Sequence, residues 1–533
     1  MTFKIKILLV FHLLVAQFVT AQFENKQKDV IDVLDYSFQI EINDSTNNIR
    51  VQANEKIVLL QKVDRIFLQL KNKNSKGFGM QVSSLKNKFG KVVNYTHKND
   101  TLSILNSGNW IATDVLEFDI LYEGIPEDGL YIKNNRFGKK TFFGDNWPNR
   151  AHYWLPVVDH PSDKARVEFL IKAPSHYNVI ASGQFISKKA IDETSNLFHY
   201  QSRIPLSTKI MVFGAADFKT KEYARFKDVL VSSWIFKEEP NAGLDDYKNA
   251  LEALKFYDSL IGPYSYEKLA NVQSKTRFGG MENAGNIFYY EASITGNQTI
   301  EALVAHEVAH QWFGNSVSEE HWSDIWLSEG FATYLTDLYL ENKYGKEKLQ
   351  ERMLMERDKV LNYHKNANPE AIVYHEKEDL FKLLNRNSYE KGAWVLHMLR
   401  IKVGDDAFFE TLRKYYTAYR NTNATTTEFI VIAEKVSQQN LNDFFAQWLY
   451  KSDIPKLKIS YVIKKRCIQY TVEQKSDVYN LDLPIKVLHT NQEQNLVLSV
   501  HKQTQKFRFK NKLKSKEVQV IVDPAVQVLF EYN

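Results

Sequence analysis

The sequence predicts a multidomain α+β protein, β-rich at both ends and mainly helical in between. Three observations carry this. Apolar and polar residues alternate in short runs over residues 22–218, the apolar period lengthens to a helical one over 219–450, and the alternation returns over 451–533. At 533 residues the chain exceeds what one core accommodates, and 44% hydrophobic with 25% charged residues is a globular composition.

The first segment, residues 1–21, stands apart from the fold. Lys4 and Lys6 precede a short apolar run that ends at Val19-Thr20-Ala21. This is the layout of a signal peptide cleaved after Ala21, and it predicts an exported protein, periplasmic or secreted. The run contains His12 and Gln17 and is too short for a spanning helix, so no stable membrane span is expected after cleavage. The single cysteine, Cys467, forbids an internal disulfide, leaving the cores and a metal to hold the fold. The net charge of +5 is small, and Lys and Arg read as scattered along the chain, so no nucleic-acid partner is expected.

Within 22–218, "LEFDILY" puts Leu116, Phe118, Ile120 and Tyr122 on one face, and "VEFLI" repeats the device with Val167, Phe169 and Ile171. In the central region "DDYKNALEALKFYDSLIG" reads as an amphipathic helix stopped at Gly262. After "SDIP", Leu457, Ile459 and Tyr461 share a face, and about 80 such residues suit a small β-sandwich.

The chemistry concentrates in the helical region. "VAHEVAHQWFGN" sets His306 and His310 four residues apart, on one helix face, close enough to share an ion. Thr299 is the expected N-cap. Glu307 projects beside the pair, where its carboxylate can take a proton from a metal-activated water. A hydrolytic zinc site needs a third protein ligand and one open position. "SDIWLSEGFATYLTDLYL" opens a second amphipathic helix with Glu329 near its start, eighteen residues after His310. Taken alone, Glu329 is equally a first-turn glutamate favoured by the helix dipole. Beside the histidine pair it completes a set of two imidazoles and a carboxylate.

These residues resemble the gluzincin aminopeptidases, the family of aminopeptidase N and the leukotriene epoxide hydrolase. "FGGMENAG" (278–285) resembles that family's exopeptidase motif, and "NSYEKGAWVLHML" (387–399) its Tyr-x-Lys-Gly segment. "NWPNRAHYWLPVVDHPSDKA" (146–165) resembles the end of its N-terminal domain. The resemblance implies a β-rich saddle or sandwich domain, a thermolysin-like catalytic domain and a small C-terminal β-sandwich. It implies one zinc ion on His306, His310 and Glu329, with Glu307 as general base. Glu282 would hold the substrate's free α-amino group, with Gly279, Gly280, Met281 and Asn283 lining its path, and Tyr389 would donate to the carbonyl oxygen as charge builds there. Peptides with a free N-terminus are the implied substrates.

Departures from the pattern carry expectations of their own. Position 280 is Gly where many members have Ala, and 284 is Ala where many have a larger side chain. Asp145 falls where many members place a Gln or Glu lining the first side-chain pocket. It reads as a residue favouring a cationic side chain or assisting Glu282, or as an Asp in a surface turn. The family's C-terminal helical domain has no counterpart in the sequence, which predicts a more open site. Epoxide hydrolysis, endopeptidase activity and an inactive peptide-binding homologue are the rival readings.

Overall fold

A computed structural model describes residues 28–106, 108–374 and 379–532, and the segment read as a signal peptide lies outside them. The chain divides into two compact units, one comprising residues up to 252 together with 265–311, the other 253–264 together with 312 onward.

In the first unit the largest sheet runs, in spatial order, through strands Gln184–Ala190, Ser195–Gln201, Lys164–Pro174, Ile31–Glu41, Ile49–Leu59, Val115–Ile125 and Gly79–Asn87. The alternation read in the sequence sets its faces: Phe118, Ile120 and Tyr122 are buried, as are Val167, Phe169 and Ile171. A four-stranded and a three-stranded sheet accompany it.

A five-stranded mixed sheet follows, ordered Phe218–Phe226, Val229–Phe236, Lys268–Ser274, Asn286–Tyr290 and Gly280–Met281. Its short edge strand pairs Gly280 with Tyr289 and Met281 with Phe288. Helix α1 (Asn249–Leu260) crosses between its parallel strands, and Gly262, at φ +147°, lies just beyond its end. Helix α2 (Glu301–His310) carries the histidine pair. Thr299 does not cap it. The helix begins after Ile300, and the Thr299 hydroxyl instead donates to the Thr295 hydroxyl.

The second unit is helical to about residue 450: α3 (Trp326–Tyr344), α4 (Lys346–Asn366), α5 (Gly392–Val403), α6 (Asp405–Tyr419), α7 (Thr426–Ser437) and α8 (Asn442–Leu449). The expected amphipathic character of α3 is corrected, because every residue from Trp326 to Leu340 is buried. Such a helix is enclosed on all sides. The chain then forms a four-stranded sheet (Thr504–Lys510, Cys467–Gln474, Lys456–Ile463, Glu531–Tyr532) and a three-stranded sheet (Gln492–Val500, Leu481–His489, Gln519–Val522). Leu457, Ile459, Ile468, Val472, Leu483, Ile485 and Leu498 supply the core of this small β domain. Among the described residues no helix is long and apolar enough to cross a membrane.

Candidate metal centre and active site

Helical spacing puts His306 and His310 on one face of α2, and their Nε2 atoms stand 3.0 Å apart. Zinc–nitrogen bonds of about 2.0–2.1 Å at a tetrahedral angle place two ligand nitrogens about 3.3 Å apart. The pair is therefore close to ligating geometry. His306 is half-buried while Glu307 and His310 are buried, so the helix turns its polar groups inward. His306 and His310 lie in the first unit, and Glu329, the third ligand the sequence indicates, is buried in the first turn of α3 in the second. Two neutral imidazoles and one carboxylate suit zinc, which prefers nitrogen over an all-oxygen set.

His310 also belongs to a cluster lying wholly within the first unit. Atoms of Glu282, Glu307 and His310 fall within 4.8 Å of one another, all three residues being buried. Glu282 follows the edge strand Gly280–Met281 directly. A Cβ on Gly280 would stand 2.7 Å from the Glu307 Cγ, so an alanine there would oblige the Glu307 side chain to shift. Gly279 has open space around its Cα and accepts a hydrogen bond from Tyr290 N–H at its carbonyl. Met281 and Asn283 are buried, and the Asn283 amide makes no hydrogen bond among the described residues.

Gln311 was not singled out in the sequence. Fully buried just after the second histidine, it donates to the Glu282 carbonyl (2.7 Å) and accepts from Gly285 N–H (3.0 Å). One side-chain amide thus clamps both ends of the 282–285 loop to the end of α2. Its only sequence signal was adjacency to His310.

Asp145 is fully buried rather than on a surface turn. One carboxylate oxygen pairs with Arg150 Nη2 at 2.5 Å, and the other accepts from the backbone N–H of Arg277 at 3.0 Å. Arg150 is further held by Asp128, Tyr131 and the Trp147 carbonyl. Burial pushes the Asp145 carboxyl upward, against the pull of the Arg150 guanidinium. With both oxygens engaged by the protein, Asp145 ties down the start of the loop that leads to Glu282.

Tyr389 sits on a π-helical turn, Asn387–Lys391, that opens α5. The other four residues of the turn are buried, and Tyr389 alone is half-exposed. Its neighbours are anchored in several directions. Asn387 donates to the Glu370 carbonyl and contacts His364 Nε2, and Glu390 pairs with Arg386 and Lys359. The Lys391 ammonium reaches the carbonyls of Lys451 and Asp453, and burial lowers its pKa to about 7. Such single-turn π bulges are common at functional sites, and no periodicity rule reveals one in advance. Where α3 meets this turn, Gly330 and Gly392 face each other so closely that a Cβ on Gly330 would stand 2.9 Å from the Gly392 Cα.

Two family models match this chain: the peptidase family M1 domain over residues 245–448 and the peptidase M1 N-terminal domain over residues 33–210. The chain belongs to peptidase family M1. Aminopeptidase M1-C of rice is 28% identical over 324 residues, covering 58% of this chain and 37% of the relative. Probable aminopeptidase 1 of Sulfurisphaera tokodaii is 24% identical over 498 residues, covering 88% of this chain and 60% of the relative. The chain thus spans only 37% and 60% of the lengths of these two curated M1 relatives. The M1 zinc metallopeptidase of Deinococcus radiodurans shares the fold at a TM-score of 0.69 and 22% identity, covering 80% of this chain and 95% of that structure.

Proposed function

We propose that this M1 protein is a zinc-dependent aminopeptidase that removes the first residue from peptides with a free N-terminus. Zinc is held by His306, His310 and Glu329, one ion per chain. When bound, it lowers the pKa of a coordinated water toward neutrality and polarises the substrate carbonyl. The remaining work falls to side chains. Glu307 takes the proton of the attacking water and passes it to the departing amine. Tyr389 donates a hydrogen bond to the carbonyl oxygen as it gains charge. Glu282 holds the α-ammonium, while the edge strand Gly280–Met281 offers main-chain groups to an extended peptide. Asp145 and Gln311 are positioning residues for the loop that carries Glu282.

The observation that carries this reading is that Glu282, Glu307 and His310 lie within 4.8 Å of one another. The amine anchor is therefore a neighbour of the base and of a metal ligand. In a peptide the α-nitrogen and the first carbonyl carbon are about 2.5 Å apart, and each further residue adds about 3.3–3.6 Å. An ammonium fixed by Glu282 brings the first peptide bond, and not the second, to Glu307. An endopeptidase has no use for a carboxylate there. Export remains part of the proposal, supported by the leader at residues 1–21.

The test uses the purified full chain with amino-acid arylamides, their N-acetylated counterparts and metal analysis. Free-amine substrates are hydrolysed, acetylated ones are not, and chelation abolishes a rate that zinc restores. Tyr389→Phe lowers turnover about 100- to 1,000-fold at normal zinc content, and Glu282→Ala abolishes the preference for a free amine. Equal cleavage of acetylated and free substrates by the unmodified protein would refute the proposal.

A further inference from the structure

The expectation of evenly scattered cations fails in the C-terminal β domain. The segment "KFRFKNKLKSK" places Lys506, Arg508, Lys510, Lys512, Lys514 and Lys516 on alternate residues, six charges against a net +5 for the whole chain. All six are exposed. Three of them lie on Thr504–Lys510, an edge strand of its sheet, so their side chains share one face about 6.8 Å apart. Lys464, Lys465 and Arg466, also exposed, sit in the turn before Cys467, which pairs with Lys510. Buried Asn511 binds the two basic segments together, donating from its side chain to the carbonyls of Lys464 (2.9 Å) and Ser515 (2.6 Å). None of the nine charged groups has an ion pair among the described residues: Glu473 and Glu493 are taken by Lys475 and Lys486, and Glu517, directly after Lys516, pairs with none of them.

Blunting an edge strand against aggregation calls only for charges on the strand itself. Nine unpaired cations held together by a dedicated buried asparagine exceed that need, and their mutual repulsion is unfavourable until a counter-charge arrives. The surroundings identify the counter-charge. Lys506 is in register with Thr471 and Ser460, and Arg508 with Gln469 and Val462, so neutral hydrogen-bonding side chains flank the cation row. They line a shallow groove of about 350 Å³. Tyr461, Tyr470 and Phe507 also border the groove, but strand alternation sets their row on the face opposite the cations, so rings and cations do not interleave as on a base-stacking platform. Val462 is the exposed apolar group of that face, too little to seat in a bilayer.

We propose that this stripe docks the enzyme on a linear acidic polysaccharide, whose repeated carboxylates meet the Lys and Arg row while its hydroxyls meet Ser460, Gln469 and Thr471. The test is affinity electrophoresis of the full chain through gels containing polygalacturonate or neutral dextran, with phosphatidylglycerol vesicles and oligothymidine as competitors. The unmodified protein is retarded by polygalacturonate alone, and the retardation weakens between about 20 and 150 mM salt. Lys506→Gln/Arg508→Gln/Lys510→Gln binds about tenfold more weakly. The charge-preserving Lys506→Arg/Arg508→Lys/Lys510→Arg binds normally, and arylamide hydrolysis is unchanged in both. Equal migration in the two gels, or full retardation of the glutamine variant, overturns the proposal. Stronger competition by vesicles or by oligothymidine than by free polygalacturonate also overturns it, assigning the stripe to a membrane or to nucleic acid.

Discussion

Gly330→Ala separates two quantities that usually move together, stability and turnover. The new Cβ would stand 2.9 Å from the Cα of Gly392, 3.0 Å from its carbonyl carbon and 3.2 Å from the Ser388 oxygen. Carbon atoms rest at about 3.5–4.0 Å, so α3 and the π turn must part by about 0.6–1 Å. Overpacking of this kind costs about 1–3 kcal/mol. Replacing a helical glycine by alanine returns about 1 kcal/mol, so the protein still folds. The displacement nevertheless reaches Glu329, one residue before Gly330, and Tyr389, three before Gly392. A misplacement of 1 Å at a reacting centre costs about 100-fold. The assay is kcat and KM on an amino-acid arylamide, expressed per bound zinc, beside a thermal melt. The expected result is a melt within a few degrees of the parent and kcat about 100-fold lower. Turnover per zinc within about threefold of the parent, in a folded variant, would show that this glycine contact does not set the spacing of the ligand and the tyrosine.

Other perturbations probe the supports around the site. Gln311→Leu removes both clamps of the 282–285 loop; KM for free-amine substrates should rise about tenfold with zinc content unchanged, since each unmet buried partner costs about 1–3 kcal/mol. An unaltered KM refutes the clamp. Asp145→Ala leaves Arg150 and the Arg277 N–H short of a partner and should cost about 3–5 kcal/mol in stability, without changing the preference between cationic and neutral first residues. A lost preference for cationic residues would return Asp145 to the pocket wall. Burial lowers the His397 pKa to about 4, with its ring nitrogens between Tyr334 Oη (3.0 Å) and the Val526 carbonyl (2.9 Å). The unfolded chain takes up that proton near pH 6.5 and the folded one does not, so the stability is complete above 6.5 and is lost as pH falls toward 4. The loss amounts to ~3 kcal/mol. His397→Gln should flatten that part of a denaturation-against-pH curve, and an unchanged curve dismisses the assignment.

The local chemistry of this protein was legible in its sequence because it is periodic. A four-residue histidine spacing fixes a shared helix face, two-residue alternation fixes a buried sheet face, and the strands and helices follow those patterns closely. The matched segments around Glu282, Glu329 and Tyr389 marked positions whose residue types the proposed chemistry would use. What alternation and spacing do not encode is the partner of a side chain distant in sequence. Asp145 looked like a pocket or turn acid until Arg150 and the Arg277 N–H were seen to occupy it. Gln311 had no signal beyond its neighbour, and the π turn beneath Tyr389 depends on anchors drawn from α4 and from the chain after residue 450. Even α3, read as amphipathic, is enclosed on every side, because burial is decided by what packs against a helix and not by the helix alone. The cation row at 506–516 was written plainly in the sequence, yet only the paired strands and Asn511 showed that it meets Lys464–Arg466 and that none of these cations is ion-paired. Spacing along a chain sets which groups can face one way; only the folded chain decides what they face.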